Sequence, residues 1–172
     1  MITTTPAQLL AARDDRVRRR RSLQGRHPGS VVVGVTLVTP GPVKSSPTLV
    51  RIRDRAVTAL RGQAAELGWP VLDREERDGA AGPEAHLVLD VPTGDATTVK
   101  RVLVGLEDSC PGGRLWDLDV HDGERTVSRT SLGRAPRRCL VCAEPAHACA
   151  RSRAHDLADL TTAVEALRAA HR

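Results

Sequence analysis

The chain has 172 residues, enough for one domain with a proper core, and 40% of them are hydrophobic although Phe and Tyr are absent and Trp appears only at positions 69 and 116. Without aromatic platforms on which bases could stack, a single-strand nucleic-acid binder is disfavoured. No apolar run approaches the ~20 residues of a membrane span and the N-terminus lacks the order of a secretion signal, so a cytoplasmic protein with neither a nucleic-acid nor a membrane partner is expected. The net charge of +5 comes almost wholly from arginine, Lys44 and Lys100 being the only lysines, and it suits a phosphorylated ligand or an acidic protein.

Thr5 and Pro6 form a cap and first turn for a helix that continues through Leu9, Leu10 and Val17 into the basic run Arg18 to Arg21. Its apolar stripe is thin, so it reads as a surface helix with a solvated basic face or as a dock for an acidic partner. Residues 30–38 (SVVVGVTLV) form a β-branched strand bounded by Pro-Gly and Pro-Gly-Pro. The loop after it carries Lys44 and two serines, which makes it either a phosphate-contacting loop or a stiff connector. Ser46 caps and Pro47 begins a second helix, with Val50, Ile52, Val57, Leu60, Ala64 and Leu67 at helical spacing and Gly68 as its stop. Residues 70–72 start a short strand, 73–83 read as a turn or mobile loop, and 85–91 form a further strand. Asp95 caps a helix over 96–108, and Pro111-Gly112-Gly113 leads into the strand 113–120 (GRLWDLDV).

Alternation along that last strand puts Leu115, Asp117 and Asp119 on one face, the two carboxylates side by side, and Trp116, Leu118 and Val120 on the other. Two adjacent carboxylates suit Mg²⁺, which proteins hold with one or two carboxylates plus substrate phosphates; an edge strand showing its polar face to water is the plainer reading. Arg114 before the pair and Arg129, Arg134, Arg137 and Arg138 after it are the usual complement to phosphate oxygens.

The string strand, helix, strand, strand, helix, strand is that of the α+β ferredoxin-like split βαβ unit: an antiparallel sheet with helices on one face. One domain over 1–172 is expected, with its core at about 30–120. In this topology the last strand runs antiparallel beside the first. Asp117 and Asp119 then lie on the open sheet face, and Lys44 approaches Arg114. The rest, about 136–172, is a Cys/His-containing extension and a helix on Leu157, Leu160, Val164 and Leu167. Cys139, Cys142, Cys149 and His155 have the ligand types of a tetrahedral structural Zn²⁺ site, with His147 as an alternative ligand; reduced buried thiols are the next reading and a catalytic cysteine the last, since no other feature indicates thiol chemistry. If Cys149 and His155 shared one regular helix, they would not face the same way.

Several co-ordered segments carry a resemblance: Leu37-Val-Thr-Pro-Gly-Pro-Val-Lys44, Ala56-Val-Thr-Ala-Leu-Arg61, Leu67-Gly-Trp69, Gly113-Arg-Leu-Trp-Asp-Leu-Asp-Val120, Ser128-Arg129, Pro136-Arg-Arg-Cys-Leu-Val-Cys142 and Cys149-Ala-Arg-Ser-Arg-Ala-His155. Together, over about Leu10 to Leu160, they resemble the holo-citrate lyase synthase family, the apo-citrate lyase phosphoribosyl-dephospho-CoA transferases. The resemblance implies transfer of a 2′-(5″-phosphoribosyl)-3′-dephospho-CoA group from its triphosphate precursor, triphosphoribosyl-dephospho-CoA, to a serine of the citrate lyase acyl carrier subunit, with release of diphosphate. It implies Mg²⁺ on Asp117 and Asp119, and donor phosphates on Lys44, Arg114, Arg129, Arg137 and Arg138. The Arg-x-x-Asp-x-Asp strand is also locally similar to the metal-binding strand of the hydroxymethyl-dihydropterin pyrophosphokinases. A non-catalytic, zinc-stapled basic adaptor for nucleic acid or an acidic protein is the competing reading, and it leaves Asp117 and Asp119 without a task.

Overall fold

The computed structural model describes residues 2–169; Met1 and residues 170–172, the ends of the expected domain and of its C-terminal helix, lie outside the described residues. Along the chain run β1 (Ile2–Thr3), α1 (Pro6–Arg26), β2 (Val31–Leu37), β3 (Val43–Ser45), α2 (Pro47–Glu66), β4 (Val71–Gly79), β5 (Gly82–Leu89), α3 (Ala96–Ser109), β6 (Trp116–Asp122), β7 (Arg125–Val127), α4 (Ala146–Ser152) and α5 (Leu157–Ala169). Five strands form one sheet in the order β4-β5-β2-β6-β7, every neighbouring pair antiparallel. Within it, β2-α2-β4 and β5-α3-β6 are the two interleaved halves of the expected split βαβ unit. The short β1 and β3 pair separately.

Local chemistry sets the helix starts. Thr5 and Gln8 make a reciprocal capping box on α1, the Ser46 side chain accepts from Leu49 N at 3.3 Å on α2, and the Asp95 side chain accepts from Thr97 N at 2.9 Å on α3. The main core lies between the sheet and α2 and α3, where Val31, Val33, Val35, Leu87, Leu89 and Leu118 meet Ile52, Leu60, Val99 and Leu103. Each such aliphatic side chain contributes about 1.5–3 kcal/mol by leaving water, so a core almost without aromatics is sufficient.

The other sheet face is not open along its length. Helix α1 lies across it, packing Leu23 on Val32 and Val88 in a small second cluster. Its thin apolar stripe is explained by what it covers. Arg16 and Arg19 both bind the carboxylate of Glu84, a β5 residue only 5% exposed. A helix held to a sheet through ion pairs carries little hydrophobic periodicity.

Two boundaries differ from the sequence reading. Residues 71–79, most of which were expected to be a loop, are the edge strand β4, paired with β5 from Val71↔Leu89 to Gly79↔Gly82. Its alternation is of charge rather than apolarity, with Asp73 and Glu75 held by Arg26, and Glu76 and Asp78 held by Arg53. Residues 113–115 form a single 3₁₀ turn instead of the first part of β6, which sends Leu115 into the core. Gly113 permits this turn, because a Cβ there would stand 2.5 Å from the carbonyl oxygen of Glu107.

Candidate active site

The register of β2 with β6 sets Thr36 opposite Asp117 and Gly34 opposite Asp119, while Gly34 also faces His86 on β5. Asp117 and Asp119 therefore share the α1 side of the sheet, as the alternation requires. Asp117 is partly exposed; Thr36 Oγ1 donates to its Oδ2 at 3.5 Å, and Arg137 Nη2 stands 3.3 Å from its Oδ1. Burial, reinforced by the neighbouring Asp117 charge, pushes the Asp119 carboxyl above the usual carboxylate range. Among the described residues no cationic side chain forms an ion pair with Asp119. The pair offers two hard oxygen donors on one sheet face, and these fit a divalent cation.

The arginines around the pair are already engaged. Beyond the short β7, the free edge of β6 is closed by side chains: Leu118 N donates to Glu107 Oε1 at 2.9 Å, Lys100 Nζ donates to Leu118 O, and Arg137 Nη1 donates to Trp116 O at 2.8 Å. Glu107, 3% exposed on α3, is also bound by Arg137 through Oε1 and by Arg129 at 3.1 Å through Oε2, and Arg129 reaches Asp108 at 2.8 Å. Arg114 donates to the carbonyl of Arg138, whose own side chain is exposed. Lys44 turns its ammonium back to the carbonyl of Thr39; Arg114 instead faces Thr39 and Pro40 across a cavity. The structure therefore gathers Arg114, Arg129 and Arg137 at one end of the carboxylate pair and gives Lys44 a local backbone partner.

One cavity has Arg137, the partner of Asp117, in its wall, and another reaches the pair at Asp119. The first, of about 360 Å³, is mainly apolar and lies between the β2–β3 loop and the C-terminal segment, with Arg114 and Arg137 in its wall beside Leu140, Ala146 and Leu160. The second, of about 290 Å³, lies between α1 and the sheet and includes Asp119 in its wall.

The C-terminal cluster assembles as expected. Ligand atoms of Cys139, Cys142, Cys149 and His155 all lie within 4.8 Å of one another, with Cys142 Sγ 3.6 Å from Cys149 Sγ and 3.2 Å from His155 Nε2. Helix α4 ends after Cys149, and Arg153 adopts the left-handed conformation at φ 51°, so His155 is off the helix and folds back. The six-residue spacing is thereby no obstacle. Backbone N–H donation from Val141 holds the Cys139 thiol down to about 7, while burial pushes Cys149 up to about 12. His147 is exposed and outside the cluster.

Comparison with known proteins bears on the whole chain. The family model described as apo-citrate lyase phosphoribosyl-dephospho-CoA transferase matches residues 4–171. The chain belongs to this family. It is similar to the proteins of that name from Escherichia coli O6:K15:H31 (strain 536) and Shigella boydii serotype 18 (strain CDC 3083-94), each 42% identical over 161 residues, covering 93% of this chain and 86% of the relative.

In this family member the sequence reading missed the buried groups Glu107, Lys100, Glu84 and His86. A signal existed for the α3 pair: Lys100 and Glu107 lie four residues from Ala96 and Leu103 respectively, on the inward face of the helix.

Proposed function

We propose that the protein transfers the phosphoribosyl-dephospho-CoA group from its triphosphate precursor to a serine of the citrate lyase acyl carrier subunit, at the Asp117–Asp119 strand. Family membership over nearly the full chain carries the reaction class. The observation that carries the site is the pair of carboxylates on one face of β6, with Arg137 beside Asp117 and a cavity at Asp119. The relatives are named as transferases, which leaves the adaptor reading without support.

Asp117 and Asp119 would hold Mg²⁺, which supplies charge neutralisation for the donor phosphates. Arg114, Arg137 and Arg129 bind and orient those phosphates from the Glu107 side, with Arg138 and Lys44 at the periphery. Glu107 fixes the two guanidinium groups of Arg129 and Arg137 before substrate arrives, so little reorganisation remains for the reaction. The carrier serine oxygen forms a bond to the α-phosphorus as the bond to the diphosphate leaving group breaks, and the hydroxyl proton is released to water. The apolar cavity beside Arg114 suits the pantetheine arm of the donor.

The three thiols and one imidazole of the C-terminal cluster fit Zn²⁺. A tetrahedral site with Zn–S near 2.3 Å has sulfurs roughly 3.8 Å apart, against 3.6 Å between Cys142 and Cys149. The ion would staple a segment with few apolar side chains to bury, and a cytoplasmic setting keeps its thiols reduced. Intact-mass analysis of the apo-carrier after incubation with enzyme, triphosphate donor and Mg²⁺ tests the function. A mass gain equal to the prosthetic group with matching diphosphate release is expected; an unmodified carrier in the presence of folded enzyme overturns it.

A further inference from the structure

The basic cavity under α1 has no part in the arginine set described above. Its wall is formed by Arg13, Arg16, Val17 and Arg20 from α1 and by Gly34, Thr36, His86, Asp119 and His121 from the sheet. Polar capacity there exceeds what the protein itself uses. Among the described residues Arg20 Nε and His86 Nδ1 find no hydrogen-bond partner, and His86 is only 1% exposed. Arg16 gives only its Nε, to Glu84, while Arg20 reaches His121 Nδ1 at 3.0 Å and the more distant Glu124 at 3.7 Å. Among the described residues nothing pairs with Arg13. A buried donor left without an acceptor is costly, so an anionic guest has unspent donors to meet.

The floor of the cavity points the same way. Gly34 lies in the middle of the central strand, where a glycine weakens the sheet and often marks the close approach of a ligand. Neither backbone nor neighbours demand it: its φ is not in the left-handed region, and a Cβ there would have His121 Nε2 at 3.7 Å and Asp119 Cβ at 3.9 Å as its nearest contacts, ordinary van der Waals distances. What the missing side chain leaves is open space between Arg13, Arg16, Arg20 and Asp119.

We propose that this cavity is a diphosphate subsite, in which Arg13, Arg16 and Arg20 take the phosphate oxygens of the leaving group beside Asp119. The proposal rests on the transfer reading for the origin of its ligand. It adds a second arginine set, from α1, that holds the departing end of the donor while Arg114 and Arg137 hold the retained end. The Asp119 carboxylate in the same wall makes a cation-neutralised diphosphate the suitable form.

Calorimetric titration of inorganic diphosphate into the full chain in the presence of Mg²⁺ tests the subsite. Saturable binding is expected in the unaltered protein, about tenfold weaker in Arg13→Gln and lost in Gly34→Val, which fills the floor with a strand-compatible side chain. Arg13 is exposed and makes no ion pair among the described residues, so its substitution leaves folding intact even where Gly34→Val does not. Arg101→Gln, on the far side of the sheet, removes the same unit of charge and should leave binding unchanged. Absence of saturable binding, or equal weakening by Arg13→Gln and Arg101→Gln, overturns the proposal. No carrier is present in this titration. Intact diphosphate binding alongside an unmodified carrier would therefore count against the transfer reading, whereas carrier modification without diphosphate binding would count against the subsite alone.

Discussion

Arg137 stands between the buried Glu107 and the partly exposed Asp117, binding the first through the same Nη2 that lies 3.3 Å from the second. One guanidinium thus couples the structural edge of β6 to the candidate metal-binding face. Its Nη1 donates to the carbonyl of Trp116 at 2.8 Å, so its position is set by the fold rather than by a ligand.

Glu107→Gln should accordingly disturb stability and site together. Glu107 takes Leu118 N, Arg137 and Arg129, and a neutral amide removes the buried charge that both guanidinium groups share. Loss of one partner from a buried ion pair costs roughly 3–5 kcal/mol; about 3 is expected here because both arginines keep some solvent and Arg129 keeps Asp108. Urea-denaturation midpoints check the stability, and donor binding should weaken in the fraction that remains folded.

The Cys/His cluster predicts stoichiometric zinc in protein purified without chelator, measured by elemental analysis. Removing the metal should lower the thermal midpoint and loosen residues 139–155 in hydrogen exchange, with the five-stranded sheet little changed. Cys142→Ser should act like the chelator, since Cys142 contacts both Cys149 and His155. Metal-free protein with unaltered melting would leave the cluster as a group of reduced thiols.

The split βαβ core was legible because its signals are local: β-branched strands, the Ser46 and Asp95 caps, and apolar residues at helical spacing on α2 and α3. The Asp117–Asp119 face followed from alternation alone. Strand β4 escaped because its pattern is one of charges answered by Arg26 and Arg53 from elsewhere in the chain. The role of α1 escaped for the same reason, as the partner that holds it, Glu84, is 68 residues from Arg16. Periodicity registers apolar faces and is blind to ion pairs made across the fold. The arginines near the carboxylates were visible as a cluster, yet their commitment to Glu107 required the packing of α3 on β6.

Acid should destabilise the protein through its buried histidines. Burial, aided by Arg19 and Arg16 and opposed by Glu84 and Glu75, holds His86 down to about 4 from an ordinary 6.5. The folded-state value lies below the unfolded one, so the unfolded chain binds more protons between them. Stability is therefore full above about 6.5 and falls as pH drops towards 4, by roughly 3 kcal/mol for this difference. His121, held down to about 4 by burial and Arg20, adds to the same window. Urea midpoints at pH 7, 5.5 and 4.5 measure the slope, and His86→Gln should flatten it.

The carboxylate pair makes the sharpest demand. Asp117→Asn and Asp119→Asn each keep the side-chain shape and remove one of two like charges on a single face. Stability should hold or rise in both variants, most clearly for Asp119, whose ionised form is disfavoured by burial and by Asp117. If the pair holds Mg²⁺ against the donor phosphates, carrier modification should fall at least about 100-fold in each variant, which corresponds to roughly 2.7 kcal/mol of lost transition-state stabilisation, and the Mg²⁺ concentration for half-maximal rate should increase. The measurement is intact-mass kinetics of carrier modification across a Mg²⁺ series, with circular dichroism to confirm folding. A structural role predicts the opposite pairing, in which activity falls only as the protein unfolds. Wild-type rates with unchanged Mg²⁺ dependence in both folded variants would remove Asp117 and Asp119 from the reaction.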